Sequence, residues 1–191
     1  MRLLIAAVVL TVCASSLSAQ ARERFEFRGM HLTDSVTRDI ERAQQLSCRD
    51  DLERIKGLSY CVPSNRDFVG GTAFIIINLT EKRISHFYFS FDTDRFFSIV
   101  SALETRWGAA DSTKHMEVKN AMGASFDNVV LKWTLADGIV ELERYASKVT
   151  EGKLSIQHPA LVKTGTDRRL CVQAKAAQKD FGGKLPEGCV P

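Results

Sequence analysis

The sequence has none of the short motifs that mark common catalytic, phosphate-binding or metal sites. Its double glycines, Gly70-Gly71 and Gly182-Gly183, lack the further glycine and lysine of a phosphate loop. Gly123–Asp127 lacks the second glycine of a serine nucleophile elbow. None of the four histidines shows the spacing of a metal-ligand motif; they are His31, His86, His115 and His158. We therefore predict no cofactor, no metal site and no motif-based catalytic residue.

The sequence also lacks a concentrated charge of one sign and a second long hydrophobic run. Its 26 basic and 23 acidic residues give a net charge of +3 and are scattered along the chain. Nucleic-acid binding requires a basic patch or stripe, so we expect no nucleic-acid partner. We also expect no transmembrane segment in the mature chain, because a spanning helix needs about 20 apolar residues.

The first 21 residues are typical of a secretory signal peptide. Arg2 is followed by an apolar run, and Ala19-Gln20-Ala21 offers a small-residue cleavage site. We predict a signal peptide over residues 1–21, cleavage near Ala19 or Ala21, and a periplasmic or secreted product. An alternative is lipidation of Cys13, although bulky Val12 stands where a lipoprotein signal carries a small residue.

Four cysteines remain after cleavage, and an even number in an exported chain predicts disulfides. Spacing favours the two local pairs, Cys48–Cys61 and Cys171–Cys189, among three connectivities. Zinc is the rival interpretation, but the cysteines lack C-x-x-C knuckles and neighbouring histidines. We predict an α+β domain over 22–165 and a helical, disulfide-stapled tail over 166–191.

Hydrophobic periodicity predicts two amphipathic helices packed on an antiparallel β-sheet. One helix is capped by Thr33 and runs to Cys48, and the other follows Asp94 and ends at Gly108. Strands with alternating apolar residues follow each helix. The order is also compatible with two copies of a helix-plus-meander unit.

Two hairpins allow a prediction of strand register. Folding about Asp137-Gly138 pairs Trp133 with Leu142 and Leu135 with Val140 on the buried face. Folding about Glu81-Lys82 pairs Ile76 with Phe87 and Phe74 with Phe89 in the core. These pairs predict which side chains face inward, since register decides the face.

The opposite face of the second hairpin is unusually apolar for a surface. It is predicted to carry five side chains of interest; these are Ile75, Ile77, Ile84, His86 and Tyr88. Coverage by a helix, the tail or a loop explains this pattern most simply. The functional interpretation is that the five residues form a partner-binding surface.

Phe27–Thr33 leading into a helix, the cysteine pair, and Leu103–Gly108 ending a second helix together resemble uncharacterised proteobacterial periplasmic proteins. The layout is more distantly similar to small outer-membrane assembly lipoproteins and to the β-lactamase-inhibitory-protein architecture. The resemblance implies helices packed on antiparallel sheets and function through protein binding without catalysis. It assigns no particular binding residues.

Three functional hypotheses follow. The first is a non-catalytic protein-binding module of the cell envelope with a protein partner. The second is a small periplasmic hydrolase built around His31 or His86, which requires a pocket and a histidine within hydrogen-bond reach of a carboxylate or hydroxyl. The third is a carrier of a small apolar ligand, which requires a cavity between helix and sheet.

Overall fold

The computed structural model describes residues 22–50, 55–120, 122–181, 185 and 189. The predicted signal peptide, its cleavage sites at Ala19 and Ala21, and Cys13 lie outside the described residues. The strands are β1 (Glu26–Phe27), β2 (Met30–His31), β3 (Leu46–Arg49), β4 (Leu58–Pro63), β5 (Asp67–Phe68), β6 (Gly71–Thr72), β7 (Phe74–Thr80), β8 (Arg83–Asp92), β9 (Ser112–Lys119), β10 (Ser125–Thr134), β11 (Ile139–Glu143) and β12 (Glu151–Gln157). The helices are α1 (Arg38–Ala43), α2 (Phe96–Trp107) and α3 (Pro159–Phe181).

Eight strands form one antiparallel sheet in the order β3-β4-β7-β8-β12-β11-β10-β9. Helix α1 precedes the first four of these strands along the chain, and α2 precedes the second four. The two halves join where β8 pairs with β12. The predicted α+β class is confirmed, and the element order is compatible with two helix-plus-meander units.

Helix α1 is shorter than the sequence predicted. Thr33 has a φ of 70°, which a helix cannot accommodate, and Thr37 instead caps the helix by accepting a hydrogen bond from the Ile40 amide. The predicted last turn is strand β3, because Cys48 lies directly opposite Cys61 on β4. Helical periodicity was therefore misleading over Leu46–Arg49.

Helix α2 agrees with the prediction. It buries Phe96, Ile99, Leu103 and Trp107 against the sheet. The chain leaves the helix at Gly108, whose φ of 76° favours glycine.

Helix α3 begins earlier than predicted. The side chain of His158 accepts a hydrogen bond from the Leu161 amide at 3.3 Å, and Pro159 occupies the first helical position. The domain boundary predicted at 165/166 thus falls inside one continuous helix.

Both predicted disulfides are present. Cys48–Cys61 links adjacent strands, and Cys171–Cys189 links α3 to the chain beyond it. Each bridge closes a short loop, which restricts the unfolded chain and stabilises the fold by about 3 kcal/mol on the entropic account.

The β10–β11 register differs from the prediction by two residues. Trp133 pairs with Val140, and Leu131 pairs with Leu142. Because side chains alternate between faces, a shift of two leaves the predicted inward residues inward. Trp133, Val140 and Leu142 are all fully buried.

The β7–β8 register contains a bulge that the sequence prediction missed. The turn at Glu81 and Lys82 forms as expected, with both residues at positive φ. Leu79 pairs with Ile84, whereas the preceding Asn78 pairs with His86, so Ser85 is an extra residue on β8. Because of this insertion, Ile75 and Ile77 share the core face with Phe87 and Phe89. The predicted core positions of Phe74 and Ile76 are therefore wrong, and both residues lie on the opposite face.

The prediction of one surface made by Ile75, Ile77, Ile84, His86 and Tyr88 is therefore wrong in its grouping. Ile75 and Ile77 pair with Phe89 and Phe87, which point into the core. Ile75, Ile77 and Ile84 are fully buried, while His86 and Tyr88 lie on the other face.

The core lies on one side of the sheet and is rich in aromatic rings. Phe25 contacts Phe87 and Trp107, with ring centroids 5.2 and 6.1 Å apart. Phe27 meets Phe89 edge to face at 5.3 Å. The segment before α1 therefore covers the centre of the sheet beside α2. A membrane-spanning helix is not found among the described residues.

The bulge predicts destabilisation of very different size for substitutions at two neighbouring residues of β7. Ile77→Asp should prevent cooperative folding, because a carboxylate in the fully buried position costs more than about 4 kcal/mol. Ile76→Asp, on the half-exposed face, should cost about 1 kcal/mol. Thermal unfolding followed by circular dichroism distinguishes the two variants. A stable Ile77→Asp together with an unfolded Ile76→Asp would contradict the observed register.

Candidate functional site

The side of the sheet away from the core is the candidate site, which we call the open face. On β4, β7 and β8 it carries partly exposed aromatic and aliphatic side chains; these are Tyr60, Val62, Phe74, Ile76 and Tyr88. They share a face because Tyr60, Asn78 and His86 are paired across the three strands. The remaining four residues lie two or four positions from these paired residues, and side chains alternate between faces with a period of two. An antiparallel sheet with one solvated face normally alternates apolar and polar residues, so this apolar group is unusual.

The open face becomes polar towards β9. Tyr88 pairs with Ser155 on β12, which pairs with Glu141 on β11, which in turn pairs with Lys132 on β10. One edge of the apolar group is therefore bordered by hydroxyl and charged groups. Apolar centres with polar borders are typical of protein–protein interfaces.

Helix α3 covers only one end of the open face. Leu161 and Gly165 are buried among the α3 residues whose burial is described, and the helix lies against β7 and β8. A Cβ atom at Gly165 would lie 3.1 Å from the Thr80 hydroxyl, so glycine permits this close approach. The Arg168 guanidinium contacts the Glu81 carboxylate and donates to the Lys56 carbonyl at 3.0 Å. The sequence predicted coverage by a helix, the tail or a loop for the face that carries Ile75, Ile77 and Ile84, and these three residues are fully buried. On the open face, α3 lies over the end near His86.

His86 lies where α3 meets the open face and makes two side-chain hydrogen bonds. Its Nε2 lies 2.8 Å from the Ser155 hydroxyl, and its Nδ1 lies 3.4 Å from the Asn78 Nδ2. The Asn78 amide nitrogen can only donate, so Nδ1 accepts and Nε2–H donates to Ser155. A serine nucleophile requires the reverse, with the histidine accepting the hydroxyl proton. The contact therefore orients the ring and does not activate Ser155.

The cleft beside His86 is small. Its volume is about 190 Å³, and the polar groups of Asn78, Ser85 and Thr166 contribute to its lining. Ser155 is not among its lining residues. The cleft and the serine are thus not combined into one site.

Burial, with a smaller contribution from the nearby Lys153 ammonium, lowers the pKa of His86 from 6.5 to about 4. The imidazole is consequently neutral at pH 7. Lys153 itself forms an ion pair with Glu143 at 2.6 Å. Burial raises the pKa of the Tyr88 hydroxyl, with Glu151 and Glu143 acting in the same sense, so Tyr88 presents a neutral phenol on the open face.

The other histidines do not form catalytic groupings. His31 Nδ1 contacts the Phe25 carbonyl at 2.9 Å, and His158 caps α3. His115 pairs with Asp127 at 3.0 Å on the β9–β10 hairpin, where both side chains are well exposed. Within the described part of the chain, no three His, Cys, Asp or Glu residues are placed to hold a metal ion.

A wider apolar cleft lies along the outer part of α3. It has a volume of about 1060 Å³ and is lined by Ile55, Leu170, Ala174 and Ala177 among others. The carrier hypothesis required a cavity between helix and sheet, but the interface under α2 is filled by the buried aromatic and aliphatic residues described above. The cleft is instead bounded by α3, the turn at Ile55–Gly57 and the Cys171–Cys189 bridge.

Sequence reasoning missed Asn128, which organises one corner of the open face. This fully buried amide donates to Glu143 at 3.1 Å and to the Tyr145 carbonyl at 2.9 Å, and accepts from the Tyr145 amide at 2.8 Å. It thereby fixes Arg144 and Tyr145 after β11. An asparagine directly before the apolar run Val129–Leu131 was the available signal.

Comparison with known proteins supplies no residue assignments. No protein-family model matches the sequence, and no curated protein or solved structure matches it. The open face is assigned from the geometry of this chain.

The low pKa of His86 predicts a pH dependence of stability. Unfolding restores a pKa near 6.5, so the unfolded state binds more protons between pH 6.5 and 4 and stability falls as the pH drops through this range. The loss attributable to His86 is on the order of 3 kcal/mol. Urea unfolding at several pH values measures it.

His86→Gln should remove this part of the pH dependence. His115→Gln, at an exposed histidine, is the matched control and should keep it. An identical pH dependence in wild type and His86→Gln would show that His86 is not held neutral by the fold.

Proposed function

We propose that this chain is a non-catalytic protein-binding module of the bacterial cell envelope, and that the open face contacts its protein partner. The observation that carries the proposal is the apolar group Tyr60, Val62, Phe74, Ile76 and Tyr88, partly exposed on a sheet whose other side is buried. Tyrosine and phenylalanine are enriched at interfaces because their large surfaces bind with little loss of conformational freedom.

The sheet supports this role because it is rigid before binding. Residues of the open face lie on strands paired on both sides, and Cys48–Cys61 links β3 covalently to β4. A preorganised surface loses less entropy on association than a mobile loop.

Location in the periplasm or outside the cell is part of the proposal. The N-terminal pattern of one cation, an apolar run and Ala19-Gln20-Ala21 supports export. The two disulfides support residence in an oxidising compartment. The layout resemblance to periplasmic and outer-membrane assembly proteins supports an envelope partner.

Catalysis receives less support. His86 donates a hydrogen bond to the Ser155 hydroxyl, and Ser155 does not line the small cleft beside His86. A hydrolase also needs donors that stabilise a developing oxyanion near the nucleophile. The contacts with Asn78 and Ser155 hold the His86 ring in one orientation, which is a sufficient structural role for them.

Site-specific photocrosslinking tests the proposal. A benzophenone side chain at Tyr88 of the exported chain should form a discrete crosslinked product with an envelope protein, whereas one at Glu104, exposed on α2, should not. The open-face variant Ile76→Asp should reduce the Tyr88 product at least about tenfold, because it places a charge in the centre of the interface.

Glu104→Arg is the matched control, since it changes charge on the opposite side of the molecule and should leave the Tyr88 product unchanged. The proposal fails if a correctly folded Ile76→Asp forms the product as well as wild type does.

A further inference from the structure

A groove crosses one end of the sheet, where β7 and β12 begin and β8 ends. It consists of two adjoining clefts of about 370 and 430 Å³ that share Asp92 and Thr150. Arg66 and Phe74 line the first cleft, and Phe97 and Arg144 line the second. We call this feature the end groove.

Each outer part of the end groove carries an exposed phenylalanine with an arginine stacked on it. Phe74 is 45% exposed and lies 5.9 Å from the Arg66 guanidinium carbon. Phe97 is 65% exposed, and its ring lies 5.3 Å from the guanidinium carbon of Arg144. The same guanidinium carbon lies 5.0 Å from the Tyr145 ring. Phenylalanine and arginine are enriched at protein interfaces, and stacking holds a guanidinium in place before a partner arrives.

The middle of the end groove is acidic. Asp92 lies in both clefts, with Glu151 in the first and Asp94 in the second. Among the described residues, Asp92, Asp94, Arg66 and Arg144 make no ion pair. Hydrogen bonds from Ser90 and Ser147 lower the pKa of Glu151, so it is ionised at pH 7. Along the end groove, positive charge therefore lies at both ends, on Arg66 and Arg144, and negative charge lies between them.

The groove is held in shape from below. The Thr93 amide donates to the Thr150 carbonyl at 3.1 Å, and its hydroxyl donates to the Val149 carbonyl at 3.1 Å. Arg144 is fixed by its neighbour Tyr145, whose backbone is bound by Asn128. The buried Nε of Arg144 has no hydrogen-bond partner.

We infer that the end groove binds an extended segment of the partner protein that has a basic side chain at its centre and acidic side chains towards its ends. The central cation complements Asp92 and Asp94, the terminal carboxylates complement Arg66 and Arg144, and aliphatic atoms pack on Phe74 and Phe97. This inference rests on the proposed protein-binding function and assigns the class of partner segment.

A displayed library of random twelve-residue peptides, selected on the full mature chain, tests the inference. Selected peptides should share a basic residue between acidic ones. Rearranging the charged residues of the tightest peptide, at fixed composition, should weaken its binding at least about tenfold in fluorescence anisotropy, because like charges would then face each other. Enrichment without this pattern, or equal binding of the rearranged peptide, would overturn the inference.

Variants locate the site. Phe97→Ala should weaken the selected peptide at least about tenfold, as loss of an interface anchor does. The double variant Asp92→Asn/Asp94→Asn should also weaken it, while asparagine still caps the turn before α2. Glu117→Gln, an exposed acid on β9, is the matched control and should bind normally. Unchanged binding by folded Phe97→Ala would contradict the assignment.

Two further results separate this inference from the proposed function and from other occupants. If Ile76→Asp abolishes the Tyr88 crosslink while Phe97→Ala leaves that crosslink and peptide binding unchanged, the end groove inference fails and the proposed function stands. Concentration-dependent dimerisation that Phe97→Ala abolishes, measured by sedimentation, would instead identify a second copy as occupant and overturn the inference.

Discussion

The single extra residue at Ser85 in β8 determines which side chains of the central sheet are buried and which remain available for binding. Ile84 and Phe87 are three positions apart, yet both are fully buried, which strict strand alternation forbids. The bulge resolves this conflict by adding one residue between them. As a result the phenylalanines of β8 join the core, and Tyr88 faces outward beside Ile76.

Much of the fold could be predicted from periodicity and turn chemistry. Helix α2, the turn at Glu81 and Lys82, and both disulfides follow from local signals that the structure confirms. The β10–β11 hairpin was predicted two residues out of register, and its faces were nevertheless correct because two is the period of a strand. The error of one residue in β7–β8 had the opposite consequence, since it exchanged the buried and exposed faces of β7.

The candidate site could be predicted only in part, for the same reason. His86 and Tyr88 were placed on an accessible face, but their predicted neighbours Ile75 and Ile77 are in the core. The spacing of Ile84 and Phe87 signals a bulge only once both are known to be buried, which depends on tertiary packing. Partial coverage by α3 and the corner fixed by Asn128 depend on contacts between residues distant in sequence.

The account requires that the two faces of β7 and β8 alternate as the bulge dictates. Single cysteines introduced at Ile76, Ile77, Phe87 and Tyr88, followed by timed reaction of the folded protein with a maleimide, measure this alternation directly. We expect rapid modification at 76 and 88 and protection at 77 and 87. Rapid modification at 77 and 87 with protection at 76 and 88 would contradict both the register and the open face.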